Sequence, residues 1–113
     1  MITKKFTNAT SSQITIPNSV VNLGKKLSEE GEDLNITNCD TWVIGVEDAA
    51  IRILWDGNEP AGTLGLKFLP YQTISIIGAT ARNINIIRDG TATVDAKINI
   101  QAGKAVMNMQ NVN

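Results

Sequence analysis

The sequence predicts an all-β protein: an antiparallel β-sandwich, jelly-roll-like, of eight or nine short strands. Three observations predict it. Strand-like stretches recur at roughly ten-residue spacing, the rhythm of small sandwiches and barrels. Turn-forming pairs, among them Pro17-Asn18, Asp56-Gly57, Pro70-Tyr71 and Asp89-Gly90, separate them. No convincing helix stands between strands, which argues against parallel βαβ units. At 113 residues the chain is one domain with a modest core. Its expected parts are an N-terminal arm over 1–12, the sandwich over 13–100 and a C-terminal tail over 101–113.

Residues 1–12 are polar and without periodicity, so their order is expected to depend on a neighbour. Gln13-Ile14-Thr15-Ile16 is the first strand-like piece, stopped by Pro17. Over 20–30 (VVNLGKKLSEE), Val20, Leu23 and Leu27 suit a helical face, but paired valines and Gly24 weaken it. A strand over 20–23 followed by a polar loop is favoured. Residues 33–37 (DLNIT) alternate as a short strand.

Thr41–Glu47 places Trp42, Ile44 and Val46 on one face, and Glu47-Asp48 reads as a hairpin tip. Residues 50–55 follow, with Ile51, Ile53 and Trp55 inward and Arg52 outward. Asp56-Gly57 marks a sharp turn, since glycine accepts positive φ. After a loop spaced by Pro60, Gly62 and Gly65 come strands at 66–69 and Thr73–Ile77. Residues 83–88 form another, with Ile87 off pattern. Asp89-Gly90 is the strongest hairpin signal. Residues 91–100 (TATVDAKINI) then alternate without error, Ala92, Val94, Ala96, Ile98 and Ile100 inward, as in a half-buried antiparallel strand.

Composition excludes several functions. Ten basic residues balance eleven acidic ones, so no field gathers nucleic acid or acidic lipid. No apolar run nears the ~20 residues of a membrane span, and the start MITKKFTNAT lacks the apolar core of a signal peptide. Histidine is absent, which removes imidazole acid–base catalysis and the commonest transition-metal ligand. Cys39 stands alone, so zinc and iron–sulfur sites and an intrachain disulfide are also out. Folding in a reducing cytosol is expected. No cofactor and no metal are expected.

Trp55-Asp56-Gly57 is the most distinctive triplet. Its structural role would be to close one end of the sandwich with a large aromatic just before a turn. Its functional role would be a loop rim offering Trp55 for sugar stacking or a partner contact. Phe6, Trp42, Phe68 and Tyr71 are the only other aromatics, a poor supply for a carbohydrate platform. Asp40, Asp48, Asp56, Glu59, Asp89 and Asp95 fall mostly at turns, without calcium-loop spacing. Asp56 and Glu59 invite comparison with glycosidase carboxylates, but turn chemistry explains both. Ser11, Ser12 and Ser75 have no histidine to activate them, and residues 78–82 (GATAR) lack the phosphate-loop pattern. Residues 75–77 and 84–87 carry isoleucines on both faces. A second cover is expected there, from a loop of the same chain or from another subunit.

The run Ala50-Ile51-Arg52-Ile53-Leu54-Trp55-Asp56-Gly57-Asn58-Glu59-Pro60, followed by Gly65-Leu66, resembles a pattern of small bacteriophage virion proteins. There a strand leads into W-D-G-x-x-P, a glycine-containing loop and a further pair of strands. The counterpart here is Leu69-Pro70-Tyr71-Gln72-Thr73-Ile74-Ser75-Ile76-Ile77-Gly78 and residues 81–87, with Tyr71-Gln72 in place of an acidic/glycine turn. The resemblance spans about residues 41–100 and brings no catalytic residue. It implies a non-enzymatic structural component of a phage virion: a capsid decoration protein, a head fibre or a tail accessory protein.

Such a protein would be made in the host cytoplasm and would form homo-oligomers, a trimer favoured. It would dock on the major capsid or other virion proteins, with neither nucleic acid nor membrane as partner. The expected partner contacts are Phe6 in the arm, Trp55, Asp56, Asn58, Glu59 and Pro60 in the loop, and Val106, Met107 and Met109 in the tail. The other expectation is a carbohydrate- or receptor-binding module of a phage particle, using the same loops.

Overall fold

A computed structural model describes residues 2–6, 10–29, 39–103 and 105–109, with side chains over 13–29 and 39–103. Its ten strands are β1 (Ile2–Phe6), β2 (Thr10–Ile16), β3 (Val21–Asn22), β4 (Thr41–Glu47), β5 (Ile51–Leu54), β6 (Leu66–Phe68), β7 (Thr73–Ile77), β8 (Asn85–Arg88), β9 (Ala96–Gly103) and β10 (Ala105–Met109). One helix, α1 (Leu23–Glu29), and a 3-10 turn over Ala81–Asn83 complete the secondary structure of the described residues. Two four-stranded antiparallel sheets pack face to face, in the orders β2-β9-β4-β7 and β3-β8-β5-β6. A separate two-stranded ribbon joins β1 to β10.

The pairings nest. β5 pairs with β6, β4 with β7, β3 with β8, β2 with β9 and β1 with β10. The chain is thus one long antiparallel ribbon whose tip is the loop between β5 and β6. Rolling the ribbon brings β4 against β9 and β5 against β8, which closes the two sheets. This is the jelly roll.

Isoleucine fills the space between the sheets. Ile14, Ile16, Ile44, Ile74, Ile76, Ile98 and Ile100 come from the first sheet, and Ile51, Ile53 and Ile86 from the second. β-branched side chains suit this role because they are stiff and pack well on a pleated surface. β9 shows the alternation in full: Ala96, Ile98, Ile100 and Ala102 are buried, while Lys97, Asn99 and Gln101 are exposed. Trp42 is the largest fully buried side chain, and its indole N–H donates to the Ala79 carbonyl at 2.7 Å. That bond satisfies the one polar atom the ring brings into the core.

Four details differ from the sequence-based expectations. Residues 23–29 form a helix, not a polar loop. Leu23 and Leu27, one turn apart, are buried, and the Asn22 side chain caps the helix by accepting the Lys25 N–H at 3.1 Å. Gly24 serves the packing: a Cβ there would meet the Arg82 backbone nitrogen at 3.1 Å. Tertiary contact thus outweighs the weak local propensity.

Second, β9 starts only at Ala96; residues 91–95 turn, with Val94 exposed. Thr91 is held by the Asp89 carboxylate, and Asp95 by Arg88 at 2.8 Å. Third, Glu47-Asp48 and Asp89-Gly90 are not hairpin tips, since β4 and β5, like β8 and β9, belong to different sheets. Turn chemistry specifies a reversal of the chain but not the sheet it reverses into. Fourth, part of the arm and part of the tail pair with each other as β1 and β10. The strand expected at 33–37 lies outside the described residues.

Trp42→Ala is expected to destabilise the protein by about 3–5 kcal/mol. Trp42→Phe should cost about 1–3 kcal/mol, through the orphaned Ala79 carbonyl. Denaturant unfolding of the two variants checks both values; a Trp42→Phe loss near zero would mean that the indole N–H contributes nothing.

Candidate functional site

The tip loop, residues 55–65, holds most of the expected contact residues with defined positions. β5 ends at Leu54, and Trp55 follows half-buried, packed against the core. Asp56 then accepts the Asn58 N–H at 3.0 Å, and Gly57 takes φ 89°. This aspartate turn needs a residue free to enter the left-handed region, which glycine supplies. Asp56, Asn58 and Glu59 are exposed, whereas Pro60 is buried. Leu54, Trp55, Asp56 and Leu66 line an open apolar groove of about 320 Å³. Phe6 opposes Ala105, and Val106, Met107 and Met109 oppose Lys5, Lys4 and Ile2 in the β1–β10 ribbon. The side chains of these four lie outside the described residues.

The loop is clamped. Asn85 Nδ2 donates to the Asn58 carbonyl at 3.0 Å and Gly57 N–H to the Asn83 carbonyl at 3.1 Å. Gly90 N–H reaches the Gly62 carbonyl at 2.9 Å, so close that a Cβ on Gly62 would meet Gly90 Cα at 3.0 Å. Arg52 Nη1 donates to the Gly65 carbonyl at 3.0 Å.

Asp89 anchors the whole assembly. Its carboxylate accepts from Arg52 Nε at 2.8 Å and from the Thr91 N–H at 3.0 Å, with the Thr91 hydroxyl as a further donor. Lys67 Nζ stands 3.5 Å away. The residue is 1% exposed. The hydroxyl of Thr91 and the guanidinium of Arg52 hold its carboxyl well below the usual carboxylate range.

These anchors settle the cover of one doubly apolar strand. Ile87 lies opposite Arg52 in the register, on the outer face of the second sheet, and is only 8% exposed. The tip loop, fixed at Asn85, Arg52 and Gly90 around it, covers that face. The other strand has no such cover: Ile77 on β7 is 59% exposed.

The site's carboxylates offer little to hydrolysis. The Asn58 backbone and side chain lower the pKa of Asp56, the wrong direction for a general acid, which must stay protonated at working pH. Among the described residues no group of three His, Cys, Asp or Glu could hold a metal ion. None of their helices is long and apolar enough to cross a membrane.

Two further surface features are a second hollow and a run of exposed apolar side chains. A wider hollow of about 470 Å³ between α1 and the 3-10 turn is bordered by Lys25, Ser28, Thr80 and Arg82. Leu64, Leu66, Leu69 and Tyr71 are exposed along the chain that leads into β7. Tyr71, 87% exposed, sits at φ 71° in a turn where Gln72 N–H donates to the Leu69 carbonyl. That position suits glycine and strains an L side chain. The sequence placed Tyr71 in a turn after Pro70, where an acidic/glycine turn is the pattern, but not among the expected contacts. Comparison with known protein families, curated proteins and solved structures found no match to this chain.

The clamp and its rim can each be tested by one substitution. Folding lowers the Asp89 pKa below its ordinary 3.8. The folded state therefore binds this proton less readily than the unfolded chain does. The contribution is complete above about pH 5 and is lost as pH falls through 3.8 toward the folded value. Asp89→Asn should cost about 2–3 kcal/mol at neutral pH and flatten the acid limb of a melting-temperature profile. An unchanged limb would remove Asp89 as its source. Trp55→Ala, at a half-buried site, is expected to cost about 1–2 kcal/mol. A loss equal to that of Trp42→Ala in the same denaturation assay would make Trp55 a core residue.

Proposed function

We propose that this chain is a non-enzymatic structural protein of a bacteriophage virion that associates with itself and docks on other virion proteins. The observation that carries the reading is the strand order joined to its tip. The order is the jelly roll, an architecture shared by viral capsid and lectin domains. The tip holds Trp55-Asp56-Gly57-Asn58-Glu59-Pro60, the run that resembles phage virion proteins. The fold contributes analogy alone, and the tip narrows it. The clamp supports the reading further, because a rigid loop presents a contact surface without an ordering cost on binding. Three-fold association suits the symmetry of an icosahedral shell.

A second reading has one observation in its favour. The groove beside Trp55 sets a half-buried aromatic next to an ionised Asp56, a pairing that suits a sugar ring and its hydroxyls. The proposed test incubates the protein with phage particles that lack it and follows co-sedimentation. Saturable binding at a fixed copy number is the expected outcome. No co-sedimentation, together with glycan-dependent quenching of tryptophan fluorescence, would reject docking and favour the carbohydrate-binding module.

A further inference from the structure

We infer that the free edge of β7 is a strand-pairing site for a second copy of this chain. The inference rests on the self-association in the proposed function and assigns it a surface. Val46 N–H donates to the Gln72 carbonyl at 2.9 Å and Gly78 N–H to the Asp40 carbonyl at 2.7 Å. With Ile44 opposite Ile74 and Trp42 opposite Ile76, these bonds set the direction of every β7 backbone group. Those of Ile74 and Ile76 point at β4. Those of Thr73, Ser75 and Ile77 point outward, where, among the described residues, the sheet has no further strand. Such a row is a template for another strand.

Folded proteins guard such edges with charge, proline, a bulge or brevity. In the second sheet, β3 has two residues and β6 has three, one of them Lys67. β7, Thr-Ile-Ser-Ile-Ile, is uncharged and unbroken. The edge strand β2 is also uncharged, but no exposed large apolar residue is found among its described side chains. Ile77 within β7, and Leu66, Leu69 and Tyr71 in the chain that leads into it, are all exposed. The strain at Tyr71 gains no compensating burial within the chain. It is the kind of outlier that points to an outside contact.

A second copy fits because the strand is complementary to itself. Antiparallel pairing about a two-fold axis at Ser75 sets Ser75 opposite its own copy and Thr73 opposite Ile77. No like charges meet across the pair. Backbone groups on both strands are satisfied at once, and the two outer faces continue as one sheet. The contact is separate from three-fold packing at a shell axis: subunits joined elsewhere would each still carry this edge.

Sedimentation velocity over a wide concentration range tests it on the full chain. The unmodified protein should form a dimer, or an assembly of paired subunits, that dissociates on dilution. Ser75→Lys should abolish the pairing, since two lysines would face each other at the axis. Ser75→Pro should do the same by removing an outward N–H that the native ladder does not use. Thermal melts of the dissociated proteins should coincide for Ser75→Lys and the parent, and this variant decides if the proline form does not fold. A parent that stays monomeric throughout overturns the inference, as does an assembly that Ser75→Lys leaves intact. Shell co-sedimentation reads docking separately, so the two readings fail independently.

Discussion

The double pairing of β9 is the constraint on which the rest of the first sheet depends. β9 lies between β2 and β4, with Ile98 opposite both Ile14 and Val46, and Ile100 opposite Ile44. A slip of one residue would turn Lys97, Asn99 and Gln101 into the core and carry Ile98 and Ile100 into water. Both neighbours are therefore locked in register by one strand. β4 in turn positions β7 and Trp42. The roll follows, because β2 and β4 come from the first half of the chain and β9 from the second, and only a rolled ribbon brings all three together.

Period-two patterning alone made the inward sets of β4 and β5, and of β9 from Ala96 to Ile100, legible in the sequence. It failed where non-local contacts decide. Gly24 counted against a helix in the sequence, yet it is what lets α1 approach the backbone at Arg82. Residues 92 and 94 continued the alternation of β9, but Asp89 captures Thr91 and turns the chain before the strand begins. Asp89 itself read as a turn residue beside Gly90. Its partners Arg52 and Lys67 lie far away in sequence, so its role as a buried anchor had no local signature. The distinctive Trp55 triplet was legible as a turn, and its exposed groove was not.

The clamp around Asp89 also explains why one sheet tolerates apolar residues on both faces. A single carboxylate ties β5 and β6 to the turn after β8, the region against which the tip loop is folded. Burying a charge is costly unless donors surround it. Here two cations, a backbone N–H and a hydroxyl do so. The loop thereby acts as a lid on Ile87 and behaves as part of the sandwich.

This closure limits where a partner can bind. The outer face of the first sheet is polar and partly bonded to itself, as Gln13 shows in donating to both Glu47 and Asn99. The corresponding face of the second sheet lies beneath the loop. Among the described residues, the exposed large apolar side chains gather instead from Leu64 to Ile77, with Val94 apart. They lie in or lead into β7, an edge strand that has neither charge nor proline to guard it. With one outer face polar and the other engaged by the tip loop, the apolar surface left for recognition among the described residues is the stretch from Leu64 to Ile77. Here the edge combines outward backbone groups with no partner strand among the described residues, exposed apolar side chains and a strained tyrosine; in the proposed pairing, backbone hydrogen bonds supply the geometry and the apolar side chains the driving force.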